Sequence, residues 1–309
     1  MSDGSLFSTM SHPTTDQDFA STTRPSPLIG KVFHPTNLAE WHEAAFAHAL
    51  RIAYAAHAEL TVLHVHKESH SIDWSEFPHV RDTLIRWNMI SASASHADVH
   101  HAGLDVKKIQ ARRDDPVEAI TQHLEKSPTD LVVMATHQTH GLARILHGSV
   151  AEPIARKCQA ATLFLPMRLP GFVSVDTGRV SLRRILIPVD WKPDPRAGIK
   201  VAIQLASLLG MDDVDYHLLH VTHGQPSLPL ETIPSEGHHV RHSTVHGSPV
   251  DEILRLARDD RTDLVVMTTR GHHGFLGGLR GSTMERVVRG ASCPVLAVPE
   301  KYLVREPIP

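Results

Sequence analysis

The feature that most constrains this chain is an internal repeat. Residues 129–134 read Thr-Asp-Leu-Val-Val-Met, and residues 262–267 read the same. Two further matches keep the same spacing of 133 residues: Gly148-Ser149 with Gly281-Ser282, and Pro166 with Pro299. Identity at one constant spacing indicates a duplicated domain.

The repeated unit has the pattern of an α/β element. In the second copy, the apolar run Leu264–Met267 predicts a strand that is buried on both faces. A loop with four glycines follows, and Ser282 with Glu285 predicts a helix start through a capping box, as Ser149 with Glu152 does in the first copy. A glycine-rich loop between a strand and a helix N-terminus presents free N–H groups and a positive dipole end. This pattern is suited to binding an anion.

Strands and helices alternate in both halves. The elements predicted for the first half are strands over 28–34, 60–65 and 106–111, and helices over 39–57, 76–102 and 116–126. The second half repeats the order with a strand over 185–189, a helix over 195–209 and a strand over 216–221. It is 23 residues shorter between its second and third strands, where residues 224–238 hold three prolines and predict an irregular loop. Five strands alternating with helices in each half predict a parallel, doubly wound sheet.

Size and composition set the class. The 309 residues suit two domains, predicted over 28–166 and 183–299, with a disordered tail at 1–27, a linker at 167–182 and a C-terminal tail at 300–309. A net charge of −3 argues against nucleic-acid and anionic-membrane partners. No apolar run approaches the roughly 20 residues of a membrane helix, and no signal peptide is recognised. We expect a soluble cytoplasmic protein whose Cys158 and Cys293 are small buried residues.

The repeated motifs resemble the universal stress protein (UspA) family in its tandem two-domain form, over both predicted domains. ATP-binding members carry the loop pattern Gly-x2-Gly-x9-Gly-Ser/Thr. The second half reads Thr268-x2-Gly271-x9-Gly281-Ser282, with one glycine replaced, and the first half reads Ala135-x2-Gln138-x9-Gly148-Ser149, with two replaced. The resemblance implies two flavodoxin-like (adenine nucleotide alpha hydrolase-like) domains, each with a five-stranded parallel sheet.

The resemblance also implies an Asp after the first strand that contacts the nucleoside. Asp190 matches it, whereas the first half has Asn37. Asp accepts two ribose hydroxyl bonds where Asn offers one acceptor, and Gly allows an approach to phosphate that Ala or Gln resists. These departures favour one ATP site, with Mg²⁺, in the second half. Ligands of open α/β sheets bind beyond the carboxyl ends of the strands, where Asp190 and the loop 268–283 should meet.

The site residues are carried over position by position from the resemblance. Those expected in the second half are Pro188, Val189, Asp190, Val221 and Met267 around the adenosine, Gly271, Gly281, Ser282 and Thr283 at the phosphates, and Thr268 at the first glycine position. The counterparts in the first half are Pro35, Thr36, Asn37, Val65, Met134, Gly148 and Ser149. Each residue also has a purely structural interpretation. Ser282 and Ser149 can be helix caps alone, Met134 and Met267 can be core residues, and Asp190 can cap the next helix.

Metal binding and catalysis receive less support. The chain has 25 histidines, but none has the ligand spacing of a strong zinc motif, so we expect scattered surface or loop histidines and no metal site. The sequence contains no Gly-x-Ser-x-Gly elbow, no P-loop lysine and no catalytic cysteine with an orienting base. No catalytic residue is assigned, and weak ATP hydrolysis stays open.

Two functions from different classes remain. The resemblance implies an ATP-binding stress-response protein that acts as a regulatory module. The alternative is a nucleotide-independent interaction or scaffold protein with vestigial loops and a protein partner at the 224–238 face. Family dimers pair through their last strands, so the resemblance implies an intramolecular pseudo-dimer with its seam between 161–165 and 295–298, and leaves a further homodimer open. Pairing would cover both strand edges.

Overall fold

Ten strands of the computed structural model form one sheet, with helices on both of its faces. The structure describes residues 29–38, 43–66, 73–136, 160–167, 169–222, 239–270 and 282–304. The strands are β1 Lys31–Thr36, β2 Glu59–His66, β3 Asp105–Arg112, β4 Leu131–Thr136, β5 Ala161–Pro166, β6 Arg184–Val189, β7 Asp215–Thr222, β8 His239–His246, β9 Leu264–Thr269 and β10 Val295–Pro299. The helices are α1 Glu43–Ala56, α2 Val80–Arg86, α3 His96–His101, α4 Pro116–Lys126, α5 Arg196–Leu208, α6 Pro249–Asp259 and α7 Thr283–Gly290. Single 3₁₀ turns lie at Trp74–Glu76 and Glu300–Val304.

The strand order repeats about the middle of the sheet. It runs β3-β2-β1-β4-β5-β10-β9-β6-β7-β8, and the strands within each half are parallel. The halves meet where β5 pairs antiparallel with β10, with Leu163 opposite Leu296. These are the two strands at which the sequence analysis placed the seam. The predicted α/β class with parallel, doubly wound halves is confirmed.

The repeated aspartate explains part of the sequence identity between the halves. Asp130 accepts hydrogen bonds of 2.9 Å from the N–H groups of Gly30 and Lys31, just at the start of β1. Asp263 binds the N–H groups of Arg183 and Arg184 in the same way, at 2.8 and 2.9 Å, at the start of β6. Each carboxylate thus anchors the first strand of its half. The first of these strands, β1, covers 31–36, whereas the sequence predicted a strand over 28–34.

The single helix predicted over 76–102 is wrong. Residues 80–101 form two short helices, α2 and α3, because the chain turns between them. Asn88 has a φ of 56°, the left-handed conformation that commonly ends a helix. Ser91 accepts a hydrogen bond from the Ser93 N–H, a local bond that competes with helix. A capping box from Ser95 to Asp98 then starts α3.

The predicted linker is packed into the fold. Phe172 and Val173 are buried, and both donate their N–H groups to His48 Nε2, at 3.0 and 3.1 Å. His48 Nδ1 donates to the Ala44 carbonyl, so its ring is the neutral tautomer, and burial lowers its pKa to about 4. Gly171 has a φ of 68°, and a Cβ there would approach the His48 ring within 2.5 Å. We call residues 169–183 the connector.

The histidines follow the surface interpretation only in part. Six of them are buried: His34, His48, His64, His66, His217 and His220.

Cys293 is buried, as expected, and burial raises its pKa to about 12, whereas Cys158 lies outside the described residues. In the described ranges no cluster of His, Cys, Asp or Glu could hold a metal ion. No helix in that part of the chain is long and apolar enough to span a bilayer.

Candidate functional site

A cavity of about 370 Å³ opens at the carboxyl ends of β6 and β9. Strands β6, β7 and β9 and the first residues of α6 and α7 supply its walls. The apolar wall consists of Pro188, Val189, Leu219, Val221, Ile253, Met267 and Met284. The polar wall includes Asp190, Lys192, Thr268, Thr269, Arg270, Ser282 and Thr283. An apolar pocket with a few convergent polar groups is the usual form of a small-molecule site.

Asp190 lies on the turn that follows β6. It is exposed, and its Oδ1 accepts a hydrogen bond of 2.7 Å from the Trp191 N–H. Helix α5 begins only at Arg196, with Pro195 at its N-cap position, so Asp190 does not cap that helix. In the part of the chain that the structure describes, the Asp190 carboxylate makes no further hydrogen bond. A carboxylate with free acceptor capacity therefore borders the cavity.

The turn itself is held by Asp194. Its carboxylate accepts from the Arg196 N–H at 3.0 Å and pairs with the Arg196 guanidinium, which lowers the pKa of Asp194. The backbone N–H of Asp194 donates to Glu300 Oε1 at 2.9 Å, and this bond connects the turn to the segment after β10. These bonds fix the path of the chain between Asp190 and α5.

Thr268 replaces the first glycine of the expected loop pattern. Its Oγ1 accepts a hydrogen bond of 3.1 Å from the N–H of Gly198, in the first turn of α5. That N–H is one of the helix donors without a partner inside the helix. The Thr268 hydroxyl therefore ties β9 to α5, although Thr268 also lines the cavity.

Ser282 acts as the N-cap of α7. Its Oγ accepts from the Glu285 N–H at 3.2 Å, so the capping interpretation of Ser282 is confirmed, and the Glu285 carboxylate pairs with Arg289. The dipole of α7 places partial positive charge at Ser282 and Thr283, beside the cavity. Capping does not exclude a ligand there, because the other first-turn N–H groups point the same way.

Two cations that the sequence analysis missed line the same cavity. Lys192 follows Asp190 by two residues, and Arg270 directly precedes the glycine loop. Neither forms an ion pair with a carboxylate among the described residues. Their closeness in sequence to Asp190 and Gly271 was a usable signal. The pattern carried over from the resemblance places no lysine or arginine in the site, so it gave no reason to single them out.

The residues expected in the second half come together, as far as the structure describes them. Those that line the cavity are Pro188, Val189, Asp190, Val221, Met267, Thr268, Ser282 and Thr283. Gly271 and Gly281 lie outside the described residues. Met267 is both a buried strand residue and part of the cavity wall, so its two interpretations are compatible.

The first half repeats the framework of this site. Pro35, Thr36, Asn37, Val65 and Met134 lie at or just beyond the carboxyl ends of β1 and β2 and within β4, while Gly148 and Ser149 lie outside the described residues. His64 Nδ1 bonds the carbonyl of Thr36 at 2.9 Å, and His220 Nδ1 bonds that of Val189 at 3.1 Å. Thr36 Oγ1 accepts from the Leu38 N–H, so this hydroxyl serves the turn.

Comparison with known proteins points to one family. The model of the universal stress protein family matches residues 34–166 and 231–299. A curated universal stress protein of Methanocaldococcus jannaschii is 27% identical over 149 residues, covering 40% of this chain and 86% of that protein. A universal stress protein of Archaeoglobus fulgidus has the same overall fold, with a TM-score of 0.61 at 20% identity over 88% of this chain and 97% of the other. A universal stress protein solved in complex with cAMP matches 45% of this chain and 98% of its own at 18% identity, with a TM-score of only 0.33.

Proposed function

This chain belongs to the universal stress protein family, and on that premise we propose that its second half binds an adenine nucleotide, ATP with Mg²⁺, in the cavity beside Asp190. The protein would act in the cytoplasm as a nucleotide-dependent stress-response regulator built from tandem domains. The observation that supports this most directly is that one cavity joins an apolar wall, a carboxylate, two cations and a helix N-terminus.

Each wall of the cavity suits one part of a nucleotide. Val189, Val221 and Met267 offer an apolar surface to a planar base. Asp190 has carboxylate acceptors for the two ribose hydroxyls. Lys192, Arg270 and the N-terminus of α7 carry positive charge for the phosphates. Mg²⁺ would reach the site with the phosphates, because it is usually held by substrate phosphates and few protein ligands.

The ligand contacts are proposed for the second half alone. The first half has Asn37 where the second has Asp190, and Ala135 and Gln138 where the second has Thr268 and Gly271. An amide offers a ribose one acceptor and a donor, so it replaces the carboxylate poorly. The expected stoichiometry is therefore one nucleotide per chain.

Calorimetric titration of the purified chain with Mg²⁺ and ATP tests this function. We expect saturable binding at one site per chain, and a loss of roughly 10- to 100-fold in affinity in Asp190→Ala, since a hydrogen bond to a charged group contributes about 1.5–3 kcal/mol. Asn37→Ala is the matched control and should bind ATP like the wild type. Absence of saturable binding, or equal affinity in Asp190→Ala, would contradict the proposal.

A further inference from the structure

A second group of reactive side chains lies away from the nucleotide cavity, across β7 and β8. His217 on β7 has Nδ1 3.0 Å from Asp260 Oδ2 and Nε2 2.6 Å from Ser243 Oγ. Ser243 lies on β8, the outermost strand of its half, and Asp260 directly follows α6. Three separate elements thus form one Asp–His–Ser hydrogen-bonded series.

The partners of His217 determine where its proton sits. An ionised carboxylate only accepts, so Nδ1 carries the hydrogen and donates it to Asp260. Nε2 is then left with its lone pair and accepts the hydroxyl hydrogen of Ser243. This is the arrangement in which a histidine can remove the proton of a serine nucleophile while a carboxylate holds the ring in the correct tautomer. Burial lowers the pKa of His217, which keeps the ring neutral near pH 7.

The fold does not require this series. The equivalent positions in the first half hold Thr61 on β2, Ile109 on β3 and Ser127 after α4. Strands β2 and β3 pair there along eight residues, in a register equivalent to that of β7 and β8. A buried histidine beside a half-buried aspartate costs desolvation energy, and the first half forms the same strand pair without them.

The surroundings of the series favour an anionic ligand. A cavity of about 650 Å³ lies at the amino ends of the same strands and is lined by three arginines, Arg184, Arg241 and Arg261, and by three aspartates, Asp215, Asp259 and Asp260. Among the described residues, Arg184 and Arg261 form no salt bridge, and Asp215 is the one lining aspartate without one. The Asp260 carboxylate is engaged by His217 and Arg241, and Asp259 by Arg255. Guanidinium groups bind carboxylates and phosphates through paired hydrogen bonds. Ser243 does not itself line this cavity; it lies two residues beyond Arg241 on β8, on the same face of the strand, and is half-exposed.

We propose that Ser243 is a nucleophile, with His217 as its general base and Asp260 as the positioning residue, and that it takes an acyl group from small esters that carry an anionic group. Oγ forms a bond to the carbonyl carbon while its proton passes to Nε2. The carbon–oxygen bond of the ester then breaks, and the alcohol leaves with that proton. Water releases the acyl group by the same steps. The proposal does not depend on nucleotide binding.

An alkyl fluorophosphonate is the probe for the first step. Ser243 Oγ forms a bond to phosphorus, the phosphorus–fluorine bond breaks, fluoride leaves and the proton goes to His217. We expect the intact wild-type chain to gain one adduct that peptide mass spectrometry maps to Ser243. The exposed Ser207 on α5 is the internal reference and should stay unmodified. Equal labelling of Ser243 and Ser207 would overturn the proposal without any variant.

Variants separate activation from a structural role. His217→Gln should slow labelling about 100-fold, the lower end of general-base contributions, whereas Ser207→Ala should label like the wild type. If His217→Gln fails to fold, the wild-type rate must instead rise with pH and level off below pH 7. An aryl ester with a carboxylate should also release its phenol faster than the neutral analogue. Labelling that is unchanged in a folded His217→Gln variant would show that the hydrogen bonds of His217 only connect β7, β8 and the end of α6, and do not activate Ser243.

Discussion

At the scale of single residues, the positive charge of the second-half cavity comes partly from two side chains. Thr268 stands where the expected loop pattern has a glycine, and its hydroxyl accepts a hydrogen bond from the Gly198 N–H. Lys192 and Arg270 line the same cavity and form no ion pair within the described ranges. We expect these two cations to replace part of the backbone anion binding that the missing glycine would have allowed.

The double variant Lys192→Gln/Arg270→Gln should bind ATP about tenfold more weakly. Each exposed charge pair contributes about 0.7 kcal/mol, so two give about one factor of ten. Adenosine should bind the variant and the wild type equally, because it has no phosphate. Calorimetry with both ligands measures the difference, and Lys200→Gln, an exposed lysine on α5, is the matched control. An equal loss for adenosine would show that the cations support the fold and not the phosphates.

Some residues could be identified from the sequence and others could not. Asp190 was identified through the resemblance, which implies an Asp after the first strand, and the structure places it at a cavity. The buried histidines were missed because histidine occurs on surfaces and in cores alike. Ser243, His217 and Asp260 lie on three elements and meet only through the β7–β8 register, which the spacing of single residues does not reveal.

At the scale of secondary-structure elements, the connector behaves as part of the first half's core. Phe172 is buried against the His48 ring, and the Trp87 indole donates to the Val175 carbonyl at 2.8 Å. His48 is the acceptor for two connector N–H groups, which only its neutral form can be. The attachment of this segment to α1 therefore depends on the protonation of one side chain.

This attachment should weaken in acid. The pKa of His48 is lowered from 6.5 to about 4, so the folded state resists a proton that the unfolded state takes up. The contribution of His48 to stability is complete above pH 6.5 and is lost as the pH falls from 6.5 to 4. The loss is about 3 kcal/mol at pH 4. Urea unfolding at several pH values measures it.

His48→Gln provides the comparison, because glutamine keeps an oxygen acceptor and does not titrate. This variant should show a flatter fall in unfolding free energy between pH 6.5 and 4 than the wild type. His101→Gln, at an exposed position on α3, should leave the pH dependence unchanged. A His48→Gln variant with the full wild-type pH dependence would contradict the assignment. His64, His123 and His217, whose pKa values are also lowered by burial, and Asp194, whose pKa is lowered by its hydrogen bonds with Arg196, contribute to the acid sensitivity that remains.

Strands were easier to predict than the helix after β2. Apolar, β-branched runs such as Leu131–Met134 are buried wherever they occur, so β4 and β9 appear close to their predicted positions. The region 76–102 keeps apolar residues at helical spacing, although Asn88 turns the chain. Asn88 was itself a usable local signal, because asparagine is one of the residues that end helices in the left-handed conformation, but the apolar spacing alone does not include it.

At the scale of the whole molecule, the sheet and the hydrophobic clusters packed on it extend from one half into the other. Leu163 and Leu296 face each other across β5 and β10, and both belong to a buried cluster that also contains Leu50 of α1 and Leu205 of α5. The sequence predicted this seam through the resemblance. The repeat alone gives two similar halves and does not state how they join.

Leu296→Ala should destabilise both halves together. Truncating a buried leucine costs about 2–5 kcal/mol, and this one lies on the shared seam. In a Trp191→Phe background, the remaining tryptophans Trp41, Trp74 and Trp87 all report on the first half. Their fluorescence should lose its folded signal at a lower urea concentration in the Leu296→Ala variant. An unchanged first-half midpoint would show that the halves unfold independently.

The antiparallel seam gives the molecule two opposite rims. Strands run one way in the first half and the other way in the second, so their carboxyl ends emerge on opposite sides. The cavity beside Asp190 opens on one rim. The carboxyl ends of β1 and β2 share the other rim with the amino ends of β7 and β8, next to Asp260. Because the two cavities open on opposite rims, a molecule bound at one of them would not cover the other.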